Sequence, residues 1–175
     1  MNQNIRVDIE NKINEDLSPT RNLTGLHLKV VAAIAIIWTL FQLWYASPFP
    51  FMFDIGMFKG LPARAIHLGF ALTLTFLIFP ISKSKKISII DILISLIAAF
   101  CCLYIYFFYD QLVDRGGFLL NISLSQNINI PIELIIGISG ILILLEATRR
   151  AIGLPLVIIA IAFYYFLILE NMLQK

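Results

Sequence analysis

The densest group of charged side chains in this apolar sequence is the run from Glu146 to Arg150. If one helix continues through it, Glu146 lies three residues before Arg149 and four before Arg150. Acid before base at these spacings favours ion pairs on a helix surface. We therefore predict a charge-paired hinge where two apolar segments meet.

Gly153 and Pro155 follow the charged run directly. Proline cannot donate a backbone hydrogen bond and moves the residue before it away from helical geometry, so the helix should break or kink at about residues 151–154. Two interpretations remain open. The hinge is either a cytoplasmic turn with a positive-inside signature or a broken element buried against a partner subunit.

Three further candidate residues lie near the starts of the second and third apolar segments. Arg64 and His67 are three residues apart, so they share a helix face and are candidates for an intramembrane function. Alternatively, Arg64 extends to the membrane surface and His67 satisfies a neighbouring carbonyl group. Ser88 and Asp91 fit a helix-capping box, and Asp91 also begins a polar and small face that favours contact with other helices. That face continues through Ser95, Ala98 and Cys102. We expect Cys102 and its neighbour Cys101 to be packing residues.

Glu133, Gly137 and Gly140 fall on one stripe of the following apolar segment. Two glycines on a stripe let another backbone approach closely, so this pattern predicts a packing seam rather than an ion site. The sequence has no metal-ligand spacing, phosphate-binding glycine loop or nucleophile elbow. We expect no enzyme activity and no cofactor.

The composition indicates an integral membrane protein. Hydrophobic residues make up 59% and charged residues 14% of the 175, and the mean hydropathy is +0.88, whereas soluble domains carry about 25% charged residues. A formal charge of +2 without a basic tract gives no indication of nucleic-acid binding. The expected fold is all-α, with four to five transmembrane helices and a broken or hinged last pair.

Residues 1–25 form a charged segment, interpreted equally well as a cytoplasmic tail or as an amphipathic helix on the membrane surface. Residues 26–170 form the membrane domain, and its apolar segments are 26–46, 64–82, 87–109, 130–145 and 151–169. The distribution of basic residues predicts a cytoplasmic amino terminus. Nine of the 13 lysine and arginine residues lie at or between the ends of the apolar segments that this orientation places on the cytoplasmic side. These nine are Arg6, Lys12, Arg21, Lys29, Lys83, Lys85, Lys86, Arg149 and Arg150.

Three stretches in order resemble a known family: residues 64–71 (RAIHLGFA), 108–110 (FYD) and 145–155 (LEATRRAIGLP). They are similar to the amino-terminal membrane region of fused permeases of tripartite ATP-independent periplasmic (TRAP) transporters, which corresponds to the family's small membrane component. The likeness runs from about residue 26 to residue 169, and the hinge is its most specific part.

The resemblance implies a non-catalytic subunit in the bacterial inner membrane. It would brace a large permease subunit that takes up small organic anions with a periplasmic binding protein, and sodium would bind to the large partner. By analogy, Glu146, Arg149 and Arg150 would fix the brace to that partner or to the cytoplasmic interface. Small subunits of the family usually have four spans, so the last two segments either form one broken unit or include the opening of a large domain of a fused permease. A stand-alone channel, exporter or sensor is the alternative function.

Overall fold

The computed structural model describes residues 20–21, 23–58, 60–81, 88–116, 121–125 and 128–173. The predicted amino-terminal helix therefore lies outside the described residues. In chain order the elements are α1 (Gly25–Ala46), α2 (Phe49–Phe53), α3 (Gly60–Ile78), α4 (Ile89–Asp114), β1 (Asn121–Ser125), β2 (Ile128–Pro131), α5 (Ile132–Ala151) and α6 (Leu154–Leu173).

Three helices, α1, α3 and α4, are long and apolar enough to cross a membrane. This confirms the predicted all-α membrane class. The helix α5 has 20 residues, but charges near both of its ends shorten its apolar part to residues 134–145. The helix α6 has 20 residues, and its sequence is apolar from Leu154 until Glu170.

The helix bounds differ from several of the predicted apolar segments. The helix α3 begins at Gly60 rather than at residue 64, because Pro62 is tolerated in a first helical turn. It ends at Ile78, shortly before Pro80, and α4 continues to Asp114, beyond the predicted end at residue 109. The polar connection that was predicted for residues 110–130 contains an antiparallel hairpin of β1 and β2.

The main core lies where α3, α4 and α5 meet. Its buried side chains are Leu72, Phe76, Ala98, Cys102 and Ala147. At Gly69 the backbones of α3 and α4 approach closely, since a Cβ atom there would lie 3.2 Å from Cβ of Cys102. On its other side α3 packs against α1 through a second cluster that includes Val31, Leu74 and Leu77.

The predicted contact face of α4 is confirmed. Asp91, Ser95, Ala98, Cys101 and Cys102 are the buried residues of this helix, and both cysteines are free thiols. The polar and small side chains therefore point into the bundle, while the large apolar side chains of α4 point outward, as expected for a helix in contact with lipid.

The predicted break after the charged run is also confirmed. The helix α5 ends at Ala151 and α6 begins at Leu154, and Gly153 between them has φ of +108°, a conformation that favours glycine. The helix α6 packs mainly against α5. None of its described side chains is buried.

Candidate functional site

The candidate site is organised around Asp91, in the first turn of α4. The hydroxyl of Ser88 caps this helix by accepting a hydrogen bond from the backbone N–H of Ile90 at 3.3 Å. The carboxylate of Asp91 does not complete the predicted capping box, because it is bound by arginines from elsewhere in the chain. Its position at the start of a helix nevertheless favours a negative charge.

Two buried arginines hold the carboxylate of Asp91, one on each oxygen. Nη2 of Arg21 lies 2.6 Å from Oδ2, and Nη1 of Arg150 lies 2.7 Å from Oδ1. The side chain of Asp91 is 0% exposed and those of both arginines are 1% exposed. A carboxylate can enter such a buried position because both of its oxygens accept charge-assisted hydrogen bonds.

The same arginines also bind the carboxyl end of α3. Arg21 donates to the carbonyl oxygen of Leu77 at 3.3 Å from Nη1, and to that of Ile78 at 2.9 Å from its backbone N–H. Arg150 donates to the carbonyl oxygen of Phe79 at 3.3 Å. These bonds satisfy carbonyl groups that have no partner within a helix end.

The guanidinium of Arg150 also lies 4.9 Å from the centre of the Phe76 ring, a cation–π contact. The network therefore ties together four parts of the chain: the segment before α1, the end of α3, the start of α4 and the end of α5.

Glu146 extends the network along α5. Its Oε1 accepts from Nε of Arg150 at 2.7 Å, and its Oε2 accepts from Nε of Arg149 at 2.7 Å. Both predicted pairs at the hinge are thus present. Glu146 lies beyond the apolar part of α5, and hydrogen bonding from Arg149 lowers the pKa of its carboxyl group to about 2, with a smaller effect from Arg150.

The inner part of this network is balanced in charge, because Arg21 and Arg150 carry two positive charges and Asp91 and Glu146 carry two negative ones. Arg149, whose side chain is 42% exposed, adds a third positive charge at the surface. Among the described residues, Nε of Arg21 and Nη2 of Arg150 are buried without a hydrogen-bond partner. A balanced buried network of this kind fixes how helices are arranged, whereas removing one member leaves an uncompensated charge.

A second ion pair joins α4 and α5 at the opposite end. Nη1 of Arg115 lies 2.5 Å from Oε1 of Glu133, which also accepts from the hydroxyl of Tyr104 at 3.5 Å. Along α4, Asp91 and Arg115 are separated by about 36 Å at 1.5 Å per residue. This is close to the roughly 30 Å of a bilayer core. The charged groups therefore lie at the two ends of the bundle.

Between these two ends, α3, α4 and α5 border an apolar cleft of about 280 Å³. Gly137 and Gly140 line it, and no atom lies within 4 Å of the position that a Cβ would take at either glycine. No backbone in the described part of the chain fills this stripe, so the packing seam predicted for Glu133, Gly137 and Gly140 stays a prediction of contact with a partner.

Arg64 and His67 are both exposed on α3, as expected from their shared face. They do not join the network around Asp91. Among the described residues, His67 contacts side chains rather than a backbone carbonyl group: its Nδ1 faces the indole Nε1 of Trp38 at 3.4 Å and the side-chain amide of Gln42. The rings of Trp38 and His67 meet edge to face, with centres 5.1 Å apart.

Sequence reasoning identified Asp91, Glu146, Arg149 and Arg150 but missed Arg21, which it treated only as part of a charged tail. The available signal was Asp91 itself, because a carboxylate at the end of a membrane helix needs a cation. In the part of the chain that the structure describes, no three His, Cys, Asp or Glu side chains are grouped as a metal site requires.

Comparison of the chain with family models, with curated proteins and with solved structures gave no match. The geometry of the charge network is thus the main structural guide to function.

Proposed function

We propose that this chain is the small, non-catalytic membrane subunit of a TRAP-type secondary transporter. It braces a large permease subunit in the bacterial inner membrane, and that subunit takes up small organic anions with a periplasmic binding protein and an ion gradient. The amino terminus is cytoplasmic in this proposal, so the network around Asp91 lies at the cytoplasmic end and the hairpin lies on the periplasmic side.

The observation that carries the proposal is the balanced network of Arg21, Asp91, Glu146 and Arg150. A brace must keep its shape while its partner moves, and buried ion pairs that join four chain segments resist rearrangement because breaking any one leaves a buried charge. Two members of the network belong to the hinge, the stretch that most specifically resembles the TRAP family.

The geometry favours a brace over a channel or an exporter. A path for ions needs polar groups that follow one another across the membrane, whereas the described charges of α4 and α5 are concentrated at the two ends. The cleft between those ends is lined almost entirely by apolar surface.

The test is co-purification in detergent of the tagged chain with a large permease subunit encoded beside it. We expect a stable complex with the unaltered chain and its loss with the double variant Glu146→Ala and Arg150→Ala. A chain that purifies only with itself, or that has no large subunit encoded nearby, would contradict the proposal and favour a stand-alone protein or part of a fused permease.

A further inference from the structure

Residues 47–58, which join α1 to α3 and include the short helix α2, expose an almost continuous apolar surface. Asp54 is the only charged residue in this segment. Five of its large apolar side chains are each more than half exposed: Phe51 (78%), Met52 (71%), Phe53 (59%), Ile55 (64%) and Met57 (54%). A contiguous apolar surface of this kind marks contact with another protein or with a membrane.

The level of the segment along the bundle follows from its contacts with the helices. The rings of Phe58 and Tyr106 have centres 6.1 Å apart. Tyr106 follows Asp91 by 15 residues in α4, which corresponds to about 22 Å. A bilayer core is roughly 30 Å thick. A membrane that has Asp91 at one surface therefore has its other surface a little beyond Phe58, at the level of this segment.

The segment also folds back against the end of α1. The rings of Trp44 and Phe49 stack with centres 6.3 Å apart. A Cβ atom at Gly56 would lie 3.1 Å from the indole Nε1 of Trp44. Trp44 and the adjacent Tyr45 are residue types that concentrate where a membrane meets water. The apolar surface of the segment is therefore continuous with the exposed surface of α1, to which Leu43 belongs.

The backbone of the segment suits the membrane surface better than the hydrocarbon interior. The N–H groups of Phe51 and Met52 both donate to the carbonyl oxygen of Pro48 at 3.1 Å. Pro48 and Pro50 have no N–H group to satisfy. Residues 55–58 have no regular secondary structure. Their backbone groups need hydrogen-bond partners that hydrocarbon cannot supply, whereas lipid headgroups and interfacial water can.

We infer that residues 47–58 are an interfacial anchor that lies in the membrane surface at the end of the bundle opposite Asp91. The partner is the lipid bilayer, at the boundary between headgroups and acyl chains, and the five exposed apolar side chains enter it. Asp54 is exposed at the end of α2, where its carboxylate stays among the headgroups. The anchor fixes the level at which α1 leaves the membrane and α3 enters it.

The test is the accessibility of spin labels in vesicles of phosphatidylcholine. Phe51→Cys and Ile55→Cys are each labelled with a nitroxide in detergent, and the full chain is then reconstituted. The two native cysteines, Cys101 and Cys102, are buried, and the unaltered chain, treated in the same way, measures any label that reaches them. Oxygen, which concentrates in lipid, and a water-soluble nickel chelate then each relax the label according to its surroundings.

We expect the ratio of oxygen accessibility to nickel-chelate accessibility to place both labels between two controls. Asp114→Cys is the control for water, because Asp114 is exposed at the last residue of α4. Leu40→Cys is the control for the lipid interior, because Leu40 is exposed about 9 Å before the end of α1. The ratio at both labelled positions should be several-fold higher than at Asp114→Cys and lower than at Leu40→Cys. Thermal unfolding in detergent should be the same for both variants as for the unaltered chain, since both replaced side chains are exposed.

A ratio no higher than that of Asp114→Cys would place the segment in water and overturn the inference. Low accessibility to both reagents would mean that protein covers the segment, which also overturns it. Measuring the chain alone and in complex with the large permease subunit would then show whether a second copy or that subunit is the cover. The proposed function is tested separately by co-purification, and it stands or falls independently of this result.

Discussion

Replacing Asp91 with asparagine tests the charge network most directly. Asparagine preserves the shape of the side chain but removes its charge, and its amide N–H₂ group would face one of the two guanidinium donors. Arg150 would keep Glu146 as a partner through Nε at 2.7 Å. Arg21 would keep only neutral acceptors, the backbone carbonyl oxygens and at most the asparagine amide oxygen, so it becomes a buried cation without a compensating charge.

Removing one partner of a buried pair costs about 3–5 kcal/mol. For a chain of this size, 1 kcal/mol corresponds to about 2–4 °C in melting temperature, so Asp91→Asn should unfold roughly 6–20 °C below the unaltered protein. The assay is thermal unfolding in detergent followed by tryptophan fluorescence. Asp54→Asn is the matched control, because Asp54 is exposed and its left-handed backbone suits asparagine.

A second variant identifies the cause of the loss. Adding Arg21→Gln to Asp91→Asn removes the uncompensated cation, so the double variant should be more stable than Asp91→Asn alone. The reasoning would be refuted if Asp91→Asn unfolded at the same temperature as Asp54→Asn. It would also be refuted if the effects of Asp91→Asn and Arg21→Gln were simply additive.

The remaining predictions concern helix contacts and pH. Gly69→Ala should lower the melting temperature, because its new Cβ would lie 3.2 Å from Cβ of Cys102. Gly137→Ala should leave the melting temperature unchanged or raise it, since that site is open. Equal effects of the two substitutions on the melting temperature would contradict the described packing. The pKa of Glu146 is lowered to about 2 in the folded chain, below the unfolded value of about 4.3. Its contribution is therefore complete above about pH 4.3 and is lost as the pH falls toward 2. Unfolding scans between pH 6 and pH 3 should show a smaller decline for Glu146→Gln than for the unaltered chain.

Local features could be predicted well from the sequence. The pairs of Glu146 with Arg149 and Arg150 depend only on helical spacing, and the break before Pro155 depends only on backbone chemistry. The buried face of α4 followed from the periodic placement of polar and small residues. In each case the relevant residues lie within a few turns of one another, so helix geometry alone determines their relationship.

Long-range features could not be predicted in the same way. Arg21 and Asp91 are 70 residues apart, and Arg150 and Asp91 are 59 apart. Their meeting depends on how α3, α4 and α5 are rotated and aligned, which no local pattern determines. Gly137 illustrates the same limit, because a small residue permits close approach but does not specify which helix will approach.

The short connection at Gly153 has a mechanical consequence for α6. That helix is 20 residues long, or about 30 Å, and it packs mainly against α5. A rotation of about 10° at the connection would therefore displace its far end by about 5 Å. Because Arg150 holds the other side of the connection in the charge network, such a rotation would move α6 and leave the network in place.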